Sequence, residues 1–182
     1  MTDRNDIQVS KFLSLILRHQ PGKIGLTLDE NGWADTQELI QKANASNLRL
    51  TLDRLKSIVE HNDKKRFSFS ADFTKIRASQ GHSLSLDLQL QEVTPPAELY
   101  HGTTTRNIES IKKQGLLKGR RHHVHLSADQ DTARKVGMRY GKPVVLIVNS
   151  RQMHQEGNKF FLSENGVWLT DYVLPKYLSF PT

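Results

Sequence analysis

The chain opens on a helical pattern. Val9, Phe12, Leu13, Ile16 and Leu17 recur at three- and four-residue spacing, which puts them on one face of an α-helix. Pro21 and Gly22 stop it, so Arg18 and His19 fall in its last turn. Asp35, followed three residues later by Glu38, predicts an N-cap and capping box for a second helix to about residue 43. Thr51 predicts the cap of a third, with Leu52, Leu55, Ile58 and Val59 on one face. The period then shortens from 3.6 to 2. Residues 66–70 (RFSFS) and 74–79 (TKIRAS) flank a turn at 71–73 and read as a hairpin. Residues 84–91 alternate strictly, the pattern of a further strand.

The second half mixes its elements differently. Leu99-Tyr-His-Gly reads as a strand running into a tight loop, and 105–114 as a helix stopped by Gly115. Residues 123–127 predict a short strand, 128–140 a helix ending at Gly141, and 143–148 a buried strand. Residues 159–162, 166–169 and 172–180 supply more strands. Between the halves, Glu92-Val-Thr-Pro-Pro is a short stiff linker, because each proline biases the residue before it to extended backbone. The fold class expected is α+β in two lobes, 1–93 and 97–182. Helices followed by a hairpin resemble a winged helix, an analogy of element order that fixes no function.

Charge changes the picture. The chain of 182 residues carries +7, with 13 basic and 12 acidic side chains up to residue 96 and 13 basic and 7 acidic after it. A basic half suits a polyanionic partner, nucleic acid, nucleotide or membrane surface, although a merely soluble basic surface has the same composition. The absence of Cys excludes disulfides, thiolate nucleophiles and Cys-ligated zinc. The polar start MTDRNDIQVS is unlike a signal peptide, and the longest apolar runs are too short to span a bilayer. A cytoplasmic protein is expected.

Candidate chemistry follows from three groups. Arg18-His19, Arg66 after Lys64 and Lys65, and Arg120-Arg121 offer cations suited to phosphate. Basic residues also favour helix C-termini for the dipole, and a Lys-Arg run also suits a solvated turn. Four of the eight histidines, His101, His122, His123 and His125, lie close in sequence. They lack nearby carboxylates and any zinc-protease spacing, so no metal site is expected, and His123 with His125 would share a strand face. Hydrogen-bonded structural histidines would look the same. His101-Gly102-Thr103 could admit a ligand close to the backbone and hand an anion to the next helix. No dinucleotide-fold glycine motif or P-loop is present.

Seven stretches, SKFLSLILRHQP, IGLTLDENGWAD, KKRFSFS, IRASQGHS, LYHGTT, HVHLS and SENGVWLT, stand in an order and spacing that resembles the RNA 2′-phosphotransferases of the KptA/Tpt1 type over essentially the whole chain. The resemblance implies a winged-helix-like N-terminal lobe and an ADP-ribosyltransferase-like C-terminal lobe. It implies NAD⁺ as co-substrate, an RNA with an internal 2′-phosphate as partner, no metal and a monomer. The family's Arg-His-Arg-Arg set maps onto Arg18, His19, Arg66 and Arg121, with Arg120 an extra neighbour. Its transferase trio maps onto His101, His125 and Val167. Gly102 and Thr103 would join His101 at the adenosine-side ribose and pyrophosphate, and Ser127 would join His125 at the nicotinamide riboside. Gly137 and Arg139 are further NAD-site candidates, although ordinary helix residues would look the same. Three other readings stay open from sequence: a transferase acting on terminal phosphates or protein, a non-enzymatic winged-helix regulator, and a general RNA-binding module.

Overall fold

The computed structural model describes residues 4–62, 65–84 and 88–181. The chain divides into two compact units, Met1–Gln89 and Leu90–Thr182. Residues 90–93, grouped by sequence with the first lobe, attach to the second unit. The Val93 N–H donates to the Phe160 carbonyl at 2.8 Å, and Glu92 pairs with Phe161 in an isolated bridge.

In the first unit, α1 (Arg4–Arg18) buries Val9, Leu13, Ile16 and Leu17. Pro21–Ile24 follows as a 3₁₀ turn, since proline cannot donate to the α-helical ladder. A two-residue strand, β1 (Ala34–Asp35), leads into α2 (Thr36–Ala45). Asp35 Oδ1 accepts the Glu38 N–H at 2.8 Å, as a capping residue should. The expected box does not close: the Glu38 carboxylate turns instead to Lys42, one helical turn on, at 2.5 Å. Thr51 Oγ1 caps α3 (Leu52–Glu60) by accepting the Arg54 N–H.

The hairpin consists of β2 (Phe67–Phe69) and β3 (Lys75–Ala78), with β1 on the far edge of β3 and all pairs antiparallel. Asp72 organises its turn by accepting from the Ser70 and Thr74 hydroxyls and the Thr74 N–H. These bonds pull its pKa down to about 2. Ala34, Phe67, Ile76 and Ala78 pack into one core with the stripes of the three helices. The strand expected at 84–91 is not formed where it can be followed. Residues 85–87 lie outside the described residues, and 88–91 join no ladder. Gln89 takes a φ of 51°, which breaks an extended run.

The second unit is built on β4 (Leu99–Thr104), paired with β7 (Pro143–Val148), which in turn pairs with β11 (Leu178–Ser179). A second sheet has β9 (Trp168–Thr170) between β6 (Val124–Leu126) and β8 (Phe161–Leu162). Tyr100 and Ser127 exchange backbone bonds of 2.9 and 2.8 Å, joining β4 to the end of β6. A short pair, β5 (Leu116–Leu117) with β10 (Tyr172–Val173), completes the strands among the described residues.

Its helices are α4 (Ile108–Gln114), α5 (Gln130–Gly137) and α6 (Ser150–Gln155). The helix expected from 105 begins as a 3₁₀ turn, Thr105–Asn107. That expected at 128–140 is shorter because Asp129 caps it, accepting the Thr132 N–H at 2.7 Å. α6 has too few residues for a period to show. The strand expected at 166–169 starts two residues late, since Ser163 and Val167 close a turn in which Gly166 has a φ of 76°. Among the described residues the fold is thus α+β, with helices against small antiparallel sheets, and none of the helices is long and apolar enough to cross a membrane.

Candidate active site

The singled-out side chains gather in two clusters, one in each unit. In the first, α1 delivers Arg18 and His19 at its C-terminal end, and the segment entering β2 delivers Arg66. The Ser79 N–H donates to the Arg66 carbonyl at 2.9 Å. Arg18 Nη2 approaches the same carbonyl at 3.5 Å, the outer limit of a hydrogen bond. Arg66 Nη1 donates to Asn62 Oδ1 at 3.2 Å, and Asn62 Nδ2 donates to Ser10 Oγ on α1 at 3.1 Å. The Ser83 N–H donates to the Arg18 carbonyl at 3.0 Å, and Ser83 Oγ lies 3.0 Å from His19 Nδ1. The Arg18 guanidinium thus lies against the backbone of Arg66, 48 positions on, and His19 follows Arg18 at the same helix end. The guanidinium fork matches a phosphate.

In the second unit, β4 carries His101 and β6 carries His125. His101 Nδ1 lies 3.1 Å from the His125 carbonyl. A carbonyl only accepts, so Nδ1 holds the proton and Nε2 of the neutral ring keeps its lone pair. Arg121 Nη1 lies 3.1 Å from His125 Nδ1. A guanidinium only donates, so that nitrogen is bare and the ring's proton sits on Nε2. The two imidazoles thus offer complementary nitrogens, His101 an acceptor and His125 a donor. Ser127 stands two residues past His125 along the strand. The register pairs His125 with Leu169 and Leu126 with Trp168, which brings half-buried Val167 next, opposite Ser127.

Burial pushes the His101 pKa below 6.5; the His125 carbonyl opposes this and the charge of Arg121 adds to it. A depressed pKa in the folded protein makes neutral His101 the stable form. Its contribution is intact above pH 6.5 and is lost as pH falls through the lowered value. His101→Gln should therefore lessen the fall in melting temperature below that pH. Melting curves across the acid range check this; a slope identical to that of the wild type would refute it.

Other expected site residues take different roles. Gly102 and Thr103 are not in a tight loop but inside β4, paired with Val145 and Val144. On its side-chain side Gly102 faces α5, where a Cβ would lie 1.7 Å from the Ala133 carbonyl oxygen. Gly137 completes the same contact from the helix, where a Cβ would lie 2.5 Å from the Thr103 carbonyl oxygen. Thr103 is buried and its hydroxyl accepts from Asn107 Nδ2 at 3.2 Å. The segment after β4 is a 3₁₀ turn, so the expected helix terminus does not follow it. Arg139 is exposed, and its N–H closes a turn on the Val136 carbonyl. His123 lies just before β6, its ring 5.5 Å from that of Phe161 and 6.4 Å from that of His122. Lys64, of the basic run before Arg66, lies outside the described residues. Among the described residues no three His, Asp or Glu side chains form a group that could hold a metal.

A family profile described as "RNA 2'-phosphotransferase, Tpt1 / KptA family" matches residues 4–172. The chain belongs to the Tpt1/KptA family. It is 59% identical over 172 residues, 94% of each chain, to a protein of Flavobacterium johnsoniae named "Probable RNA 2'-phosphotransferase". Proteins of the same name from Rhodopirellula baltica and Fusobacterium nucleatum are 55% and 52% identical, with at least 97% of each chain covered.

Within this Tpt1/KptA chain, sequence reading missed two residues of the first cluster. Asn62 orients Arg66, and Ser83 touches both Arg18 and His19. The polar run Gly81-His82-Ser83 after a strand was the available signal for Ser83. Asn62, at the end of a helix, gave none, since its partners come from other elements.

Proposed function

We propose that the protein removes an internal 2′-phosphate from RNA using NAD⁺ as co-substrate. In this reading the first unit is the winged-helix-like, RNA-binding part and the second the ADP-ribosyltransferase-like part. The observation that carries it is the meeting of the Arg18 guanidinium with the Arg66 backbone, next to His19, which brings residues suited to one dianionic group to the same end of the first unit. The complementary tautomers of His101 and His125 support the co-substrate. An acceptor nitrogen, a donor nitrogen and the Ser127 hydroxyl fit ribose hydroxyls, and exposed Arg121 fits a phosphate. His125 and Ser127 stand two residues apart along β6 and its end, and the register with β9 brings Val167 opposite Ser127, which supports a shared role.

The chemistry balances with no protein nucleophile. First, a 2′-phosphate oxygen attacks the ribose carbon bearing nicotinamide, the carbon–nitrogen bond breaks, and nicotinamide leaves with the electron pair. The oxocarbenium-like transition state gains from orientation more than from an attacking side chain. The nucleophile arrives already ionised, which suits an apolar Val167 at the third transferase position. Second, the ribose 2″-oxygen attacks phosphorus and gives up its proton. The RNA 2′-oxygen leaves and takes a proton, giving 2′-OH RNA and ADP-ribose 1″,2″-cyclic phosphate. Arg18 and Arg66 stabilise the charge that develops on the phosphate. His19, its ring oriented by Ser83, moves the proton at the phosphate, as an imidazole can.

A short RNA with one radiolabelled internal 2′-phosphate tests this. Label should pass to ADP-ribose cyclic phosphate only when NAD⁺ is present. No transfer by folded protein would overturn the reading. Preferred modification of a 5′-phosphate end in competition would redirect it to a terminal-phosphate transferase.

A further inference from the structure

Beyond Arg66, a row of polar side chains runs along the face of the hairpin opposite the core. Phe67, Ile76 and Ala78 face inward, so alternation puts Arg66, Ser68, Arg77 and Ser79 on the other face. The register pairs Ser68 with Arg77, and the bond from Ser79 to the Arg66 carbonyl carries the pairing one residue on. The Ser68 and Ser79 hydroxyls, 3.2 Å apart, lie on that face. On the neighbouring strand Ala34 pairs with Ile76, which sets Trp33 beside Arg77. The Arg77 guanidinium stacks over the Trp33 ring at 4.4 Å.

We propose that Arg77, braced on Trp33, binds the phosphodiester next to the 2′-phosphorylated nucleotide. This rests on the reading of Arg18, His19 and Arg66 as the 2′-phosphate site. Same-face positions along a strand repeat at about 7 Å, comparable with the separation of successive phosphates in an extended RNA strand. Arg66 and Arg77 are diagonal neighbours across the hairpin, a separation of about 7–8 Å, with the Ser68 and Ser79 hydroxyls between them. The stack on Trp33 restricts the Arg77 rotamers, so less freedom is lost when a phosphate binds.

The test is fluorescence anisotropy on the full chain, without NAD⁺, using a labelled short RNA with a central 2′-phosphate. Companion probes replace the 5′ or the 3′ flanking phosphodiester with a neutral methylphosphonate, and another lacks the 2′-phosphate. Arg77→Gln should weaken binding of the fully charged RNA by about 10-fold. It should also reduce the slope of log affinity against log salt by about 0.7, the value for one phosphate on a single strand. It should bind one of the two methylphosphonate probes as the wild type does. Arg77→Lys, which keeps charge and stem, should retain the slope and lose only part of the affinity; it also serves as the second variant should the glutamine form fold poorly. An equal loss on every probe, or an unchanged salt slope, would overturn the inference. A wild type that prefers the 2′-phosphate while Arg77→Gln is silent would overturn this inference alone. A wild type indifferent to the 2′-phosphate would overturn both this and the reading beneath it.

Discussion

Arg66→Ala is expected to lower NAD⁺-dependent 2′-phosphate transfer by about 10²-fold or more, the range found when one preorganised donor to a developing charge is removed. The guanidinium would be in contact with phosphate in both steps, so kcat and kcat/KM should fall together. The fold should survive. The carbonyl that receives the Ser79 N–H and Arg18 Nη2 belongs to the backbone and persists in alanine. The bond to Asn62 is lost, and Asn62 keeps its contact with Ser10. Arg66→Lys should recover little of the activity, since an ammonium cannot reproduce the planar fork. Single-turnover assays on 2′-phosphorylated RNA, with a melting curve for each variant, decide it. Retention of more than a tenth of the activity by a folded Arg66→Ala protein would remove Arg66 from the site.

The second large effect is on stability. At Gly102 an added Cβ would meet the Ala133 carbonyl oxygen at 1.7 Å, its carbon at 2.6 Å and the Gly137 nitrogen at 3.0 Å. All three are backbone atoms, so no side chain can rotate away and α5 as a whole must shift from β4. Overpacking of this kind costs about 1–3 kcal/mol and sometimes more, and here the upper end applies. For a unit of this size that is a fall in melting temperature on the order of 10 °C or more. Gly22→Ala is the control, because nothing lies within 4 Å of its Cβ position. If the two variants melt within a degree or so of each other, the close approach of α5 to β4 is not as drawn.

Gly102 also marks a packing contact that the sequence does not announce. A glycine between a histidine and a threonine is equally compatible with an approaching ligand and an approaching helix. The partner here is Ala133 on α5, 31 positions away, and nothing local announces it. The same limit explains the unformed strand at 88–91: strict alternation gives a strand only if a partner strand is present, and a φ of 51° at Gln89 turns the chain aside. By contrast, the caps at Asp35, Thr51 and Asp129 obey a rule spanning three residues, so the first two were legible and the third differed only in placing the helix start.

By itself the sequence determined the local features of this protein: the stripe on α1, the helix stops, the hairpin and its turn, and the basic excess after residue 96. It also carried the motifs that mark the family, because motif order is a property of the chain. Tertiary structure alone decided which polar groups meet. Arg18 reaches the Arg66 carbonyl because helix and hairpin pack on one core, and Ser83 reaches His19 across 64 positions. The tautomers of His101 and His125 likewise depend on a neighbouring strand's carbonyl and on Arg121. Periodicity and capping are energies of adjacent residues and can be read in order, whereas a hydrogen bond between distant side chains exists only once burial elsewhere has brought them together.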